Sequence, residues 1–233
     1  MAKVVCATRV GNMKDPNPET RGTVDVLDLP VKELGDDDVL IKVAYCGICG
    51  SDPHVVDGCF NKPEDAPFGI GHEMSGVIER LGKNATAKGL KVGDRVGGNF
   101  LGYCGKCYQC SIGHPEYCTG VSNQPCMAEY VVWNEAQVCK LPDGVSLREG
   151  SLMEPLSIAV RAMDKIGMLV GKRVLVSGGG PIGLLCAQLA AKYGAAELTL
   201  SEPVANRCEI AKKIGVEHIV NPITEDLYER AME

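Results

Sequence analysis

The chain has 233 residues, 45% of them hydrophobic, and a formal net charge of −6. That is material for one large or two ordinary domains. It lacks the basic excess that nucleic-acid binding calls on, and no apolar run reaches the roughly 18 residues of a membrane span. Twelve cysteines are many for such a chain. A disulfide framework belongs to short secreted domains, so metal binding is the expectation.

The N-terminal MAKVVCATRVGNMK has no apolar signal-peptide core, and a cytoplasmic protein is expected. In chain order, VVCATRV (4–10), TVDVLDL (23–29) and VLIKVAY (39–45) read as strands, with Ile41 and Val43 on one face. Pro16, Pro18, Pro30 and the acidic run Asp36-Asp37-Asp38 mark the loops between them. Cys46-Gly47-Ile48-Cys49-Gly50-Ser51-Asp52-Pro53-His54 reads as a glycine-rich loop after a strand, and Gly71-His72-Glu73 follows. MSGVIERLG (74–82), LKVGDRVGG (90–98) and MAEYVVWNEAQVCKLPDGVS (127–146) return to short strands punctuated by glycine, the pattern of a small barrel or sandwich.

EGSLMEPLSIAVRAMDKIG (149–167) switches to a helical period, with Leu156, Ala159, Val160 and Met163 on one face and Gly167 as its stop. Beyond it, RVLVS (173–177) reads as a buried strand and Gly178-Gly179-Gly180-Pro181-Ile182-Gly183 opens the helix LLCAQLAAKYG. Strand ELTLSE (197–202), helix ANRCEIAKKIG (205–215) and strand EHIVN (217–221) complete a β-α-β-α-β pattern, half of a doubly wound nucleotide-binding sheet. Two domains are expected, 1–155 with a lobe at about 100–120, and 156–233.

Cys104, Cys107, Cys110 and Cys118 have C-x2-C-x2-C-x7-C spacing. Four thiolates so close can wrap one tetrahedral ion without an open position, the structural kind of zinc site. A nucleic-acid zinc ribbon is the rival, but residues 103–118 contain one lysine and no arginine. Cys49, His72 and Glu73 offer a thiolate, an imidazole and a carboxylate, a set for a catalytic zinc with water as fourth ligand. Spacing alone leaves Cys46 competing with Cys49, and Glu154 is a second carboxylate able to reach the metal or its water. Asp52 suits the task of holding a ligand histidine by its other nitrogen. Ser51 and His54 suit a proton relay to solvent.

Gly178, Gly180 and Gly183 lie between a strand and a helix, the context that gives G-x-G-x-x-G its meaning. The backbone through Pro181 and Ile182 then faces a pyrophosphate at the helix N-terminus. Glu202, closing the second strand, is placed to accept hydrogen bonds from the adenine ribose and to repel a 2′-phosphate. NAD is therefore expected over NADP, with Arg207 as a weaker counter-signal.

These motifs together carry a resemblance. Cys49-Gly50-Ser51-Asp52 with His54, Gly71-His72-Glu73, the cysteine quartet, Met153-Glu154-Pro155-Leu156 and the loop Gly178 to Gly183 resemble the zinc-dependent medium-chain dehydrogenases. Within them the likeness is to the polyol branch of sorbitol, xylitol and butanediol dehydrogenases, with threonine dehydrogenase close by. The resemblance covers essentially the whole chain and implies Cys49, not Cys46, as the zinc cysteine. It also implies a GroES-like β-barrel domain followed by a Rossmann domain, two zincs per chain, and reversible NAD-linked oxidation of a secondary alcohol to a ketone. Glu154, where ethanol dehydrogenases carry a cysteine ligand, points to a polyol or diol. Family members form homodimers or homotetramers and continue well past this length. The expectation is therefore an N-terminal fragment of such an enzyme. The alternatives are an inactive zinc- and nucleotide-binding module and a threonine dehydrogenase-like enzyme.

Overall fold

The computed structural model describes residues 1–232. The chain divides into two compact units, Met1–Glu154 and the part from Pro155 onward.

In the first unit the strands are β1 (Ala2–Arg9), β2 (Thr23–Leu29) and β3 (Asp38–Gly47), followed by helix α1 (Ser51–Val56). Then come β4 (Phe68–Gly69), β5 (Glu73–Leu81), β6 (Arg95–Gly98), β7 (Leu101–Gly102), the single turn α2 (Tyr108–Ser111) and β8 (Ser122–Asn123). Strands β9 (Tyr130–Asn134) and β10 (Val138–Lys140) and the short α3 (Leu147–Gly150) complete it. A five-stranded sheet of order β10-β6-β5-β3-β9 is antiparallel throughout, and β2-β1-β4 form a second, smaller sheet. Alternation along the strands sends Val39, Ile41, Met74, Ile78, Val96 and Trp133 into one core. Between Val43 and Tyr45 the pairing of β3 with β5 slips by a residue. Such a bulge bends a strand, and this one lies just ahead of Cys46 and Cys49.

The stretch after β3 is not wholly loop. Ser51 opens the helix α1, and Pro53 sits in its first turn, where a missing N–H would have had no helical partner anyway. The expected helix 149–167 is also two helices. A capping box, in which Ser146 Oγ accepts from Glu149 N–H at 3.2 Å and Glu149 Oε2 accepts from Ser146 N–H at 2.8 Å, starts α3 early.

The longer helix, α4 (Met153–Ile166), buries Pro155, Ala159 and Met163, a four-residue spacing, while Leu156 is exposed. It stops where Gly167 adopts φ +79°.

The second unit holds β11 (Arg173–Ser177), α5 (Pro181–Lys192), β12 (Glu197–Ser201), α6 (Ala205–Lys213), β13 (His218–Val220) and α7 (Leu227–Met232). Its three strands are parallel in the order β11-β12-β13, a doubly wound half-sheet cored by Ala187, Leu200, Ala211 and Val216. At the edge, β11 is not fully buried: Val174 and Val176 turn inward while Leu175 is exposed.

Candidate metal and cofactor sites

Cys49, His72 and Glu73 come together. One ligand atom from each lies within 4.8 Å of the others. Cys49 follows the end of β3, and His72 and Glu73 sit where β5 begins, so paired strands set the spacing. Gly47 makes room: a Cβ there would overlap the Glu73 carboxylate. Thiolate, imidazole and carboxylate at this separation fit a zinc ion with an open position.

Asp52 stands behind the histidine. It is 4% exposed, accepts the Cys49 backbone N–H at 2.8 Å, and its Oδ1 lies 3.6 Å from His72 Nδ1. Burial pushes the Asp52 carboxyl up, but contact with His72 and the Cys49 N–H outweigh it and the net shift is down. Asp52 in turn, helped by Cys49 and opposed by burial, lifts His72 to about 9. A metal must displace that proton to bind the ring.

His72, Ser51 and Glu154 share the wall of a cavity of about 710 Å³. Glu154 stays outside the three-donor cluster. Burial raises its pKa, the His72 charge opposes that, and Glu73 adds to it. The Phe100 ring packs beside His72 with centroids 5.0 Å apart. His54 is exposed, three residues beyond Ser51 on α1, and among the described residues no hydrogen bond joins the two side chains. Cys46 is not in the three-donor cluster: its Sγ faces Cys126 Sγ at 3.8 Å, and the residue packs against the main core. Geometry thus separates the two cysteines that spacing could not.

The four lobe cysteines form the second cluster, again with ligand atoms within 4.8 Å of one another. Backbone N–H groups already point at the sulfurs: Cys107 donates to Cys104 Sγ at 3.4 Å, and Cys104 and Gly120 each donate to Cys118 Sγ at 3.3 Å. The N–H groups of Cys110 and Thr119 bring the Cys107 thiol down to about 6, while burial and the neighbouring sulfurs push Cys110 up to about 12. Four sulfurs within 4.8 Å of one another fit a single closed ion.

In the second unit the glycines divide the work. Gly178 takes φ +95° in the turn, and the space above Gly180 at the start of α5 is open. At Gly183 a Cβ would overlap the Gly178 carbonyl oxygen. Pro181 and Ile182 are exposed at the helix mouth. This cradle fits a dinucleotide pyrophosphate. Glu202 departs from expectation. It is 2% exposed and accepts from Gly179 N–H at 2.7 Å and Val204 N–H at 2.8 Å, with Arg207 Nη1 3.6 Å away. Burial pushes its carboxyl up, and the Val204 and Gly179 bonds, with Arg207, bring it down below the usual range. The carboxylate therefore holds the glycine loop from beneath, and Arg207 is the more exposed of the two.

An antiparallel β domain carrying an open mixed-donor site and a closed four-thiolate lobe, followed in the chain by a parallel glycine-loop half-sheet, defines the class of zinc alcohol dehydrogenases. The alcohol dehydrogenase GroES-like domain matches residues 35–143. L-threonine 3-dehydrogenase of Escherichia coli is 38% identical over 207 residues, 86% of this chain and 60% of the relative. A structure from Clostridium scindens, provisionally named a zinc-binding dehydrogenase, superposes with a TM-score of 0.87 at 32% identity, over 100% of this chain and 67% of that one. A second, from Sinorhizobium meliloti and bound to NADP, gives 0.84 at 32% identity, over 98% and 64%.

The chain belongs to the zinc-dependent medium-chain dehydrogenases. It spans about 60% of the length of the curated relatives it matches. Among the described residues no helix is long and apolar enough to cross a membrane.

Proposed function

We propose that the chain is the zinc-binding part, with the first half of the cofactor-binding part, of an oxidoreductase that converts a secondary alcohol, a polyol or diol, to a ketone by hydride transfer to NAD. The observation that carries this is the meeting of Cys49, His72 and Glu73 donors, with His72 opening onto the cavity shared by Ser51 and Glu154.

Cys49, His72 and Glu73 would hold the catalytic zinc, with Glu154 as a nearby carboxylate, and the four lobe cysteines would hold the structural one. A zinc here would acidify a substrate hydroxyl by its charge, and NAD would accept the hydride. Asp52 keeps the His72 ring oriented through Nδ1. Ser51 accepts the hydroxyl proton as it gives up its own, which passes through water to His54, one helical turn on and exposed, and from there to solvent. Asn61 and Asn123 in the cavity wall can hydrogen-bond further hydroxyls, while Phe60 and Phe100 cover the carbon face.

Gly178, Gly180, Pro181, Ile182 and Gly183 cradle the pyrophosphate. Glu202 disfavours a 2′-phosphate by its charge even from its buried position. The identity to L-threonine 3-dehydrogenase supports a second reading, a 2-amino-3-hydroxy acid as substrate. The test is NADH formation from sorbitol, xylitol, 2,3-butanediol and L-threonine, using the chain extended to its relatives' length. Wild type should reduce NAD with at least one of the first three, and Cys49→Ala should abolish it. Turnover surviving Cys49→Ala would sink the zinc assignment, and turnover of threonine alone would select the second reading.

A further inference from the structure

A second pair of sulfurs lies behind the metal turn. Cys46, near the end of β3, and Cys126, in the segment leading to β9, are 80 residues apart in sequence with Sγ atoms 3.8 Å from one another. Cys126 is fully buried, and Cys46 is half-buried. Cys46 lines a groove of about 360 Å³ together with Val26, Val43, Tyr45 and Met127. That groove shares no residue with the cavity at His72, so Cys46 borders a space separate from that cavity. The two strands of backbone are already tied: Cys126 N–H donates to the Gly71 carbonyl at 3.0 Å, and Met127 N–H to the Ile70 carbonyl at 3.0 Å. Cys46 in turn is the register partner of Met74 on β5. The sulfurs therefore face each other across the turn that carries His72 and Glu73.

We propose that Cys46 and Cys126 are a peroxide-oxidisable dithiol that closes to a disulfide beneath this turn. The Cys46 thiolate attacks a peroxide oxygen, the O–O bond breaks, and Cys46 becomes a sulfenic acid as the other oxygen leaves as hydroxide, which takes up the proton the Cys46 thiol had given up and becomes water. The Cys126 sulfur then attacks the Cys46 sulfur, the S–O bond breaks, and its hydroxide leaves with the Cys126 proton as a second water. Both thiols are oxidised by one peroxide, which is reduced to water. Closure takes the sulfurs from 3.8 Å to about 2.05 Å. The inference is independent of the alcohol that the cavity takes.

The test is peptide mapping of the zinc-loaded chain after treatment with hydrogen peroxide, alkylation and digestion without reductant. The expected result is a linked peptide pair carrying Cys46 and Cys126, loss of alkylation at both positions, and return of both on adding dithiothreitol. Cys59 and Cys139, both exposed, report general oxidation in the same digest. Cys126→Val, checked for unchanged zinc content, should leave Cys46 without its linked partner. Full alkylation of Cys46 and Cys126 while Cys59 oxidises would overturn the proposal. So would linkage of Cys46 to Cys49.

Discussion

The two metal-type clusters both use cysteine sulfur, but for opposite ends. In the lobe, four sulfurs face one another and backbone N–H groups of Cys104, Cys107 and Gly120 point at them. At the other site one sulfur, one imidazole and one carboxylate meet where His72 borders a cavity. A closed shell of thiolates stabilises a fold and leaves an ion nothing further to bind. A mixed and incomplete shell leaves room for chemistry. What separates them is less the ligand count than the surroundings: turns wrap the first, whereas a bulged strand and a buried aspartate hold the second to one side of an open space.

The largest effect should come from breaking the lobe. Cys107→Ser removes one of the four lobe thiols, and the melting temperature of the zinc-loaded chain should drop by about 10 °C. An unchanged melting temperature would mean that the quartet carries no structural ion. Asp52→Asn leaves all three open-site donors in place but removes the charge behind His72. Competition with a chromophoric chelator should then find that site's zinc affinity lower by roughly 10- to 100-fold, with the lobe unaffected. Equal affinity would remove Asp52 from its role.

The smallest effect is in pH. In the metal-free chain the His72 pKa is raised to about 9, above the roughly 6.5 of an unfolded histidine. Its contribution to stability is therefore fully present below about pH 6.5 and fades as pH rises through about 9. Urea midpoints of the metal-free chain should fall across that window, and those of the zinc-loaded chain should not fall through this group. A flat metal-free profile would contradict the His72–Asp52 pairing.

Much of this was legible along the chain because it is local. Partial alternation marks β1 and β2 and clearer alternation marks β3, and the quartet's close spacing places its sulfurs in one short window. The glycine loop declares itself between a strand and a helix. What was not legible depends on distant partners or competing local signals. Gly50 and Pro53 read as loop, yet a proline in a first turn is compatible with the helix that carries Ser51. The Ser146-x-x-Glu149 capping box was a readable start signal for α3. Leu156 fits a helical stripe by period, but burial follows the 155/159/163 row. The choice between Cys46 and Cys49 turns on Cys126, 80 residues on. The burial of Glu202 turns on Gly179, 23 residues back.

The most direct test of the contrast between the two clusters is a zinc count by elemental analysis on the purified chain and on Cys49→Ala. The prediction is two zincs per chain in the first and one in the second, with the remaining ion in an all-sulfur shell by X-ray absorption. A wild-type chain with a single zinc, or a Cys49→Ala chain that keeps both, would contradict it.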